Sequence, residues 1–294
     1  MQTCTTNGQL RTALASARKK DLIIGFVPTM GNLHEGHLQL VRRAIKLCDV
    51  VVVSIFVNPL QFDAKEDLDT YPRTLNADKQ KLFAEGIQLL FTPSVSEIYP
   101  EGMEVHAQVT VPDICDSLCG ANRPGHFVGV ATVVNKLFNI IQPDMAIFGQ
   151  KDFQQLSIIT KMVKDLCMPV QIIGQTTARA KDGLALSSRN ILLSKPEREI
   201  APSLHRILTE CRDAIACGYD NYQELEQHAR IQLLITGFDT DYFSILDSHT
   251  LKSVTEDTED LILAVAARLG STRLIDNITL SVNPVNDWGM LAEY

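Results

Sequence analysis

Leu22-Ile23-Ile24-Gly25-Phe26-Val27-Pro28-Thr29-Met30-Gly31 runs on into His34-Glu35-Gly36-His37, and this passage decides the fold. Leu22 to Val27 reads as a buried strand, Pro28 to Gly31 breaks it, and a helical pattern follows with Leu38, Val41, Ile45 and Cys48 on one face. The two histidines then fall at i and i+3 in the first turn of that helix, on the same side. A helix N-terminus carries unpaired N–H groups and a partial positive charge, which suits an anion. Gly36 has no side chain to obstruct a ligand, and two imidazoles can donate hydrogen bonds to phosphoryl oxygens. The competing reading of such a pair is one capping histidine and one solvent-facing histidine.

The pattern repeats downstream. Val50–Val57 is a continuous apolar run typical of a strand buried on both faces. Pro72–Ala84 reads as helix, Ile87–Phe91 as strand, Val130–Ile141 as helix, Met145–Phe148 as strand, Phe153–Leu166 as helix and Val170–Ile173 as strand. Such alternation predicts an α/β fold, a doubly wound, Rossmann-like parallel sheet wrapped by helices. In such sheets ligands bind beyond the carboxyl ends of the strands. After about Thr176 a polar, glycine-containing loop runs to Asn190. Helices over Pro196–Ala216 and Tyr222–Ile235 and strands over Asp241–Leu246, Leu261–Ala267 and Arg273–Ile278 then predict a smaller C-terminal α+β domain. The expected domains are 1–176, 177–283 with the Ser187–Asn190 loop at its start, and a tail, 284–294, with no function assigned.

With 294 residues, 45% hydrophobic and 21% charged, the composition is that of an ordinary globular protein. The net charge of −8 argues against a general nucleic-acid surface. No leader layout and no membrane-length apolar run is visible. The seven cysteines match no common zinc or redox spacing, so reduced thiols in a cytoplasmic protein are expected.

The strand ends carry the remaining motifs. Asn58-Pro59-Leu60-Gln61-Phe62 follows the second strand, and the Gln61 amide offers both donor and acceptor. Gly149-Gln150-Lys151-Asp152 follows the Phe148 strand: Gly149 permits a tight turn, Lys151 is a cation for phosphate, and Asp152 is a candidate N-cap. Gln155 lies one turn further on. Ser187-Ser188-Arg189 sets two hydroxyls beside a guanidinium, an anion-binding cluster unless it is only a serine-rich linker. Pro124-Gly125-His126-Phe127 reads as a turn or a lid, and Asp63–Asp69 as a solvated acidic face. Neither the usual dinucleotide glycine fingerprint nor a P-loop is present.

His34-x-Gly36-His37 with a later Ser187-Ser188-Arg189 loop resembles the HxGH and KMSKS-like signatures of adenylate-forming nucleotidyltransferases. The fuller set adds Val27–Gly31, Phe56–Phe62, Tyr71-Pro72-Arg73-Thr74, Arg123–Phe127, Gly149–Asp152 and Asp182–Asn190. In that order, over roughly residues 20 to 280, it closely resembles the pantothenate synthetase family. Gln150 and Leu186 stand where the family often has Glu and Met. The resemblance implies ATP-dependent condensation of pantoate with β-alanine through a pantoyl adenylate, with Mg²⁺ accompanying ATP and its protein ligands unnamed. It implies that His37, His34 and Lys151 are catalytic. ATP would be bound by Met30, Gly31, Asn32, Leu33, His34, Glu35, Gly36, His37, Gly149, Gln150, Lys151, Asp152, Ala178, Leu186, Ser187, Ser188 and Arg189. Gln61 and Gln155 would hold pantoate and β-alanine. His37 is either a proton donor or purely electrostatic in this reading. A homodimer follows from the resemblance alone, with no nucleic-acid or membrane partner. An aminoacyl-tRNA synthetase-like or coenzyme-precursor adenylyltransferase, and a nucleotide-sensing module without chemistry, are the rivals.

Overall fold

The computed structural model of the chain describes residues 1–62, 68–69, 71–121 and 123–282. Most of the acidic Asp63–Asp69 stretch and the expected tail lie outside the described residues. Contacts divide the chain into two compact units, Met1–Ala180 with Ala185–Asn190, and Lys181–Leu184 with the residues from Ile191 onward.

The first unit is built on six parallel strands: β1 (Gln2–Cys4), β2 (Ile24–Thr29), β3 (Val50–Ile55), β4 (Leu89–Phe91), β5 (Met145–Gly149) and β6 (Gln171–Gln175). Their order in the sheet is β1-β4-β3-β2-β5-β6. Helices α1 (Asn7–Lys19), α2 (Glu35–Leu47), α3 (Leu75–Ala84), α4 (Val95–Ile98), α5 (His126–Ile141) and α6 (Phe153–Asp165) connect them. The opening β1 and α1 add to the expected elements; Leu10, Leu14 and Ala17 are the buried helical stripe that signals α1.

Alternation along β2 shows why helices cover both faces. Val27 packs with Val41 and Ala44 of α2 and with Val51, Val53 and Ile147. Phe26 points the other way and meets Phe138 of α5 edge-on at 6.2 Å, and Phe138 in turn meets Phe148 at 6.4 Å. On α2 the buried face differs from expectation: Val41 and Ala44 are buried while Ile45 is 37% exposed. From β2 the chain moves outward to β3 and β4, whereas β5 and β6 lie on the other side. That reversal opens a crevice at the carboxyl ends of β2 and β5.

The second unit holds α7 (Lys195–Ile200), α8 (Ser203–Ala216) and α9 (Tyr222–Ile235), with an antiparallel sheet of β7 (Asp239–Asp247), β8 (Asp260–Leu269) and β9 (Thr272–Ser281) in that order. The single helix expected over Pro196–Ala216 is two. Pro202 sits at the junction as the cap residue before Ser203, where its missing N–H interrupts the helical ladder.

The Ala185–Asn190 loop, expected to open the second domain, groups with the first unit. Leu186 N–H donates to the Ala178 carbonyl at 2.8 Å, and Ser188 Oγ donates to the Asn32 carbonyl at 3.2 Å.

Candidate functional site

Thr29 ends β2 and starts the site. Its hydroxyl donates to the Ser54 carbonyl on β3 at 2.7 Å and accepts the Gly31 N–H at 3.2 Å, which fixes where the chain turns off the sheet. Gly31 and Asn32 then take positive φ values, 85° and 50°, a conformation open to glycine and tolerated by asparagine. The turn delivers His34 as the N-cap of α2.

Both histidines belong to that cap. His34 Nδ1 accepts the Gly36 N–H at 3.1 Å, and His37 Nδ1 accepts the His34 N–H at 3.3 Å, a reciprocal capping box. The ring centroids are 4.0 Å apart. An Nδ1 that accepts an N–H carries no proton, so each neutral ring holds its proton on Nε2 and keeps that donor outside the cap. Burial, then Lys151, pushes the His34 pKa down to about 4. Burial, then His34, pushes that of His37 down to about 3. Both imidazoles are therefore neutral at pH 7, and the cationic charge of the site comes from lysine and arginine.

Acid should therefore destabilise the first unit in a histidine-dependent way. As pH falls through 6.5 the unfolded rings take up protons that the folded rings refuse until about 4 and about 3. Stability present above 6.5 is lost across that window, by at most about 1.4 kcal/mol per pH unit per ring. Urea unfolding of His37→Gln between pH 7 and 4 should show a flatter decline than the parent chain. An equal slope would contradict the low His37 pKa.

The chain ends of β2, β3, β5 and β6 meet around one cavity of about 290 Å³, near the lower bound of ligand pockets. Met30, His34, Gly36, His37, Gln61, Gly149, Lys151, Asp152, Gln155, Ala178, Leu186, Ser187, Ser188 and Arg189 all line it. Five expected positions do not. Gly31, Asn32 and Leu33 form the turn behind the cavity, where the Asn32 and Leu33 N–H groups bind Asp78. Glu35 is exposed and pairs with Arg42 at 2.5 Å. Gln150 lies against Gly174 on β6, its Cγ and Nε2 each 3.4 Å from where a Cβ would stand.

Other lining residues were not singled out from sequence as site residues. Asn58 is buried: its Nδ2 donates to Gln61 Oε1 at 3.3 Å and to the Gly129 carbonyl at 3.1 Å, and its Oδ1 accepts from Tyr99 OH at 2.9 Å. Arg123 Nη2 and His126 Nδ1 both donate to the Gln61 carbonyl, at 3.1 and 2.7 Å. Pro124 and Gly125 form the turn expected there, and Arg123 and His126 on either side of it clamp the Gln61 turn. Gly129 allows it: a Cβ there would stand 2.5 Å from the Leu60 carbonyl oxygen. Val130, Val133, Val134 and Leu137 of α5 form an apolar wall. Their i, i+3, i+4, i+7 spacing was a visible signal, but it is also that of an ordinary core face. Tyr71, Thr176 and Thr177 complete the polar rim. The cavity wall thus combines cations (Lys151, Arg189 and Arg123), the two amides Gln61 and Gln155, and an apolar helix face.

The chain is similar to known proteins along nearly its whole length. The model of the family described as pantoate-beta-alanine ligase matches residues 2–279. The chain is 55% identical to the pantothenate synthetase of Pseudomonas fluorescens (strain Pf0-1) over 96% of its own length and 99% of that protein. It is 54% identical to that of Marinobacter nauticus, covering 96% of this chain and all of the other. Among solved structures, the pantothenate synthetase of Thermus thermophilus is similar with a TM-score of 0.88 and 44% identity, covering 97% of this chain and 100% of that one. The Francisella tularensis pantoate-beta-alanine ligase, solved with beta-gamma ATP and beta-alanine, is similar with a TM-score of 0.78 and 36% identity, covering 95% and 97%. The chain belongs to the pantoate–β-alanine ligase family.

Proposed function

We propose that this chain joins pantoate to β-alanine using ATP, through a pantoyl adenylate, and releases pantothenate, AMP and pyrophosphate. A carboxylate does not acylate an amine at neutral pH, because its oxygen is a poor leaving group. Attack of the pantoate carboxylate on the α-phosphorus displaces pyrophosphate and leaves a mixed anhydride. The β-alanine amine then attacks the carbonyl carbon and AMP departs.

The chemistry needs donors fixed around the α-phosphorus before the reaction begins. The observation that carries the reading is the capped histidine pair, two Nε2–H donors held at a helix N-terminus on the wall of a cavity that also holds Lys151 and Arg189. In this reading His37 donates a hydrogen bond and steadies charge. A ring with a pKa of about 3 has no extra proton to transfer at pH 7 in the free enzyme. Lys151 and Arg189 supply cationic charge, and Ser187 and Ser188 supply hydroxyls. Gly149, Asp152, Ala178 and Leu186 line the nucleoside. Gln61 and Gln155 hold pantoate beside the valine wall, and Gln61 also reaches β-alanine. The beta-gamma ATP and beta-alanine bound by the Francisella tularensis relative support ATP and β-alanine as substrates.

Mg²⁺ accompanies the triphosphate in this reading and offsets its charge. Among the described residues no group of three or more His, Cys, Asp or Glu could hold a metal, and Asp152 is the carboxylate lining the cavity. That donor set fits an ion carried in by the nucleotide with few protein ligands. The same reading includes a homodimer and a cytoplasmic setting, with no nucleic-acid partner and no membrane.

Incubation with ATP, pantoate and β-alanine should yield pantothenate and AMP by mass spectrometry. Without β-alanine, pantoate should drive exchange of labelled pyrophosphate into ATP. Exchange with an amino acid or a nucleotide precursor but not with pantoate would replace this reading by another adenylyltransferase. ATP binding with no AMP formed would reduce the site to a nucleotide sensor.

A further inference from the structure

Asp78 has no part in the chemistry above, yet it is 0% exposed, packed against the Gly31–Leu33 turn that leads into the histidine cap. It projects from α3. Its Oδ2 accepts the Asn32 N–H at 2.9 Å and its Oδ1 accepts the Leu33 N–H at 2.8 Å. Thr74 Oγ1 donates to Oδ2 at 3.0 Å, and Lys81 Nζ donates to the Leu33 carbonyl at 2.5 Å. Successive N–H groups in a turn with left-handed residues form a concave anion-binding nest. Here the protein's own carboxyl group fills the back of it.

The peptide between Asn32 and Leu33 links two parts of the site. Its N–H end is held by Asp78, and its carbonyl end accepts from Ser188 Oγ at 3.2 Å. The same turn leads into His34, whose backbone N–H is bound by His37. One buried group thus bears on both the histidine cap and the Ser188 loop.

We propose that Asp78 is a positioning residue for nucleotide binding: it holds the Gly31–Leu33 turn from behind, so that the histidine cap and the Ser188 loop address the same triphosphate. This inference rests on the ATP-dependent reading above. An asparagine at this position keeps the volume, but its NH₂ must oppose either the Asn32 or the Leu33 N–H, donor against donor in a buried place.

The test compares Asp78→Asn, Ser188→Ala and the double variant with the parent chain. Asp78→Asn should lower kcat/KM for ATP about 10²-fold, the scale for misplacing a catalytic element, with the KM for pantoate little changed. Ser188→Ala should cost much less in the Asp78→Asn background than in the parent, because both act through one peptide. The ring ¹⁵N resonances of His34 and His37 should shift in the folded variant. Should Asp78→Asn not fold, Thr74→Val removes one donor to the same carboxyl group and should move the same resonances and ATP kinetics in the same direction, by less. A folded Asp78→Asn with parental ATP kinetics overturns the proposal. So do simple additivity with Ser188→Ala, or a Thr74→Val variant with parental resonances when Asp78→Asn does not fold. If the parent chain makes no pantothenate, the functional reading fails instead, and the imidazole resonances still test the positioning role.

Discussion

Lys151→Ala is expected to lower turnover by about 10²–10³-fold, the cost of removing one preorganised charge or donor, while the chain stays folded. Lys151 stands in the short turn Gln150–Asp152 between β5 and α6 and lines the cavity, its side chain 17% exposed. Since burial keeps His34 and His37 neutral at pH 7, the histidines cannot replace the lost cation. Arg123 cannot readily do so, because its guanidinium is engaged with the Gln61 carbonyl and His126. Among the described residues, Arg189 is the remaining cation on the cavity wall. The substitution has a second signature. Lys151 is the second cause, after burial, of the depressed His34 pKa, so NMR titration of Lys151→Ala should find His34 titrating above about 4. Near-normal turnover would remove Lys151 from the catalytic set, and an unmoved His34 pKa would show that burial alone holds it down.

Gly36→Ala should separate activity from stability. Alanine is the better helix former by about 1 kcal/mol, and Gly36 occupies the first turn of α2 without a positive φ. Its new Cβ, however, would stand 2.9 Å from His34 Cε1 and 3.0 Å from His34 Nδ1. The ring must swing off its cap, which costs about 1 kcal/mol of N-cap stabilisation. The two terms nearly cancel, so the unfolding midpoint should hardly move. Turnover should fall about 10²-fold, because the Nε2–H donor leaves its place and His37 loses the ring beside it. Steady-state kinetics beside thermal unfolding reads both quantities. Equal activity would mean that His34 orientation does not matter, and a large loss of stability would mean that the clash is relieved by the backbone.

Much of the fold was legible because its signals are local. Continuous apolar runs marked β3 and β5, and a 3.6-residue period marked α5, α6 and α9 within a few residues of their observed ends. Strand-end placement led to Gln61, Lys151 and Gln155, since parallel sheets bind ligands there. The three-residue β1 carries no period, and only its pairing with β4 makes it a strand. The Pro202 break is present in the residues but is masked by the helical run on either side of it.

The histidines show where local reading ends. Capping and ligand binding are alternatives in the sequence, and the structure shows the capping: each Nδ1 accepts a backbone N–H of the cap, which leaves each Nε2 outside it. Nothing in the spacing of the two residues states their tautomer or their charge, because those depend on burial and on a lysine more than a hundred positions away.

The sequence by itself determined the strand–helix order, the histidine-bearing first turn of α2 and the inventory of polar groups at strand ends, because periodicity, turn chemistry and capping act over a few residues. Only the tertiary structure decided which groups act together. Asp78 reaches Leu33 across 45 positions and Ser188 reaches Asn32 across 156. The clamp of Arg123 and His126 on Gln61, the neutrality of both imidazoles and the capture of the Ser188 loop by the first unit are likewise set by distance and desolvation, which exist only once the chain has folded.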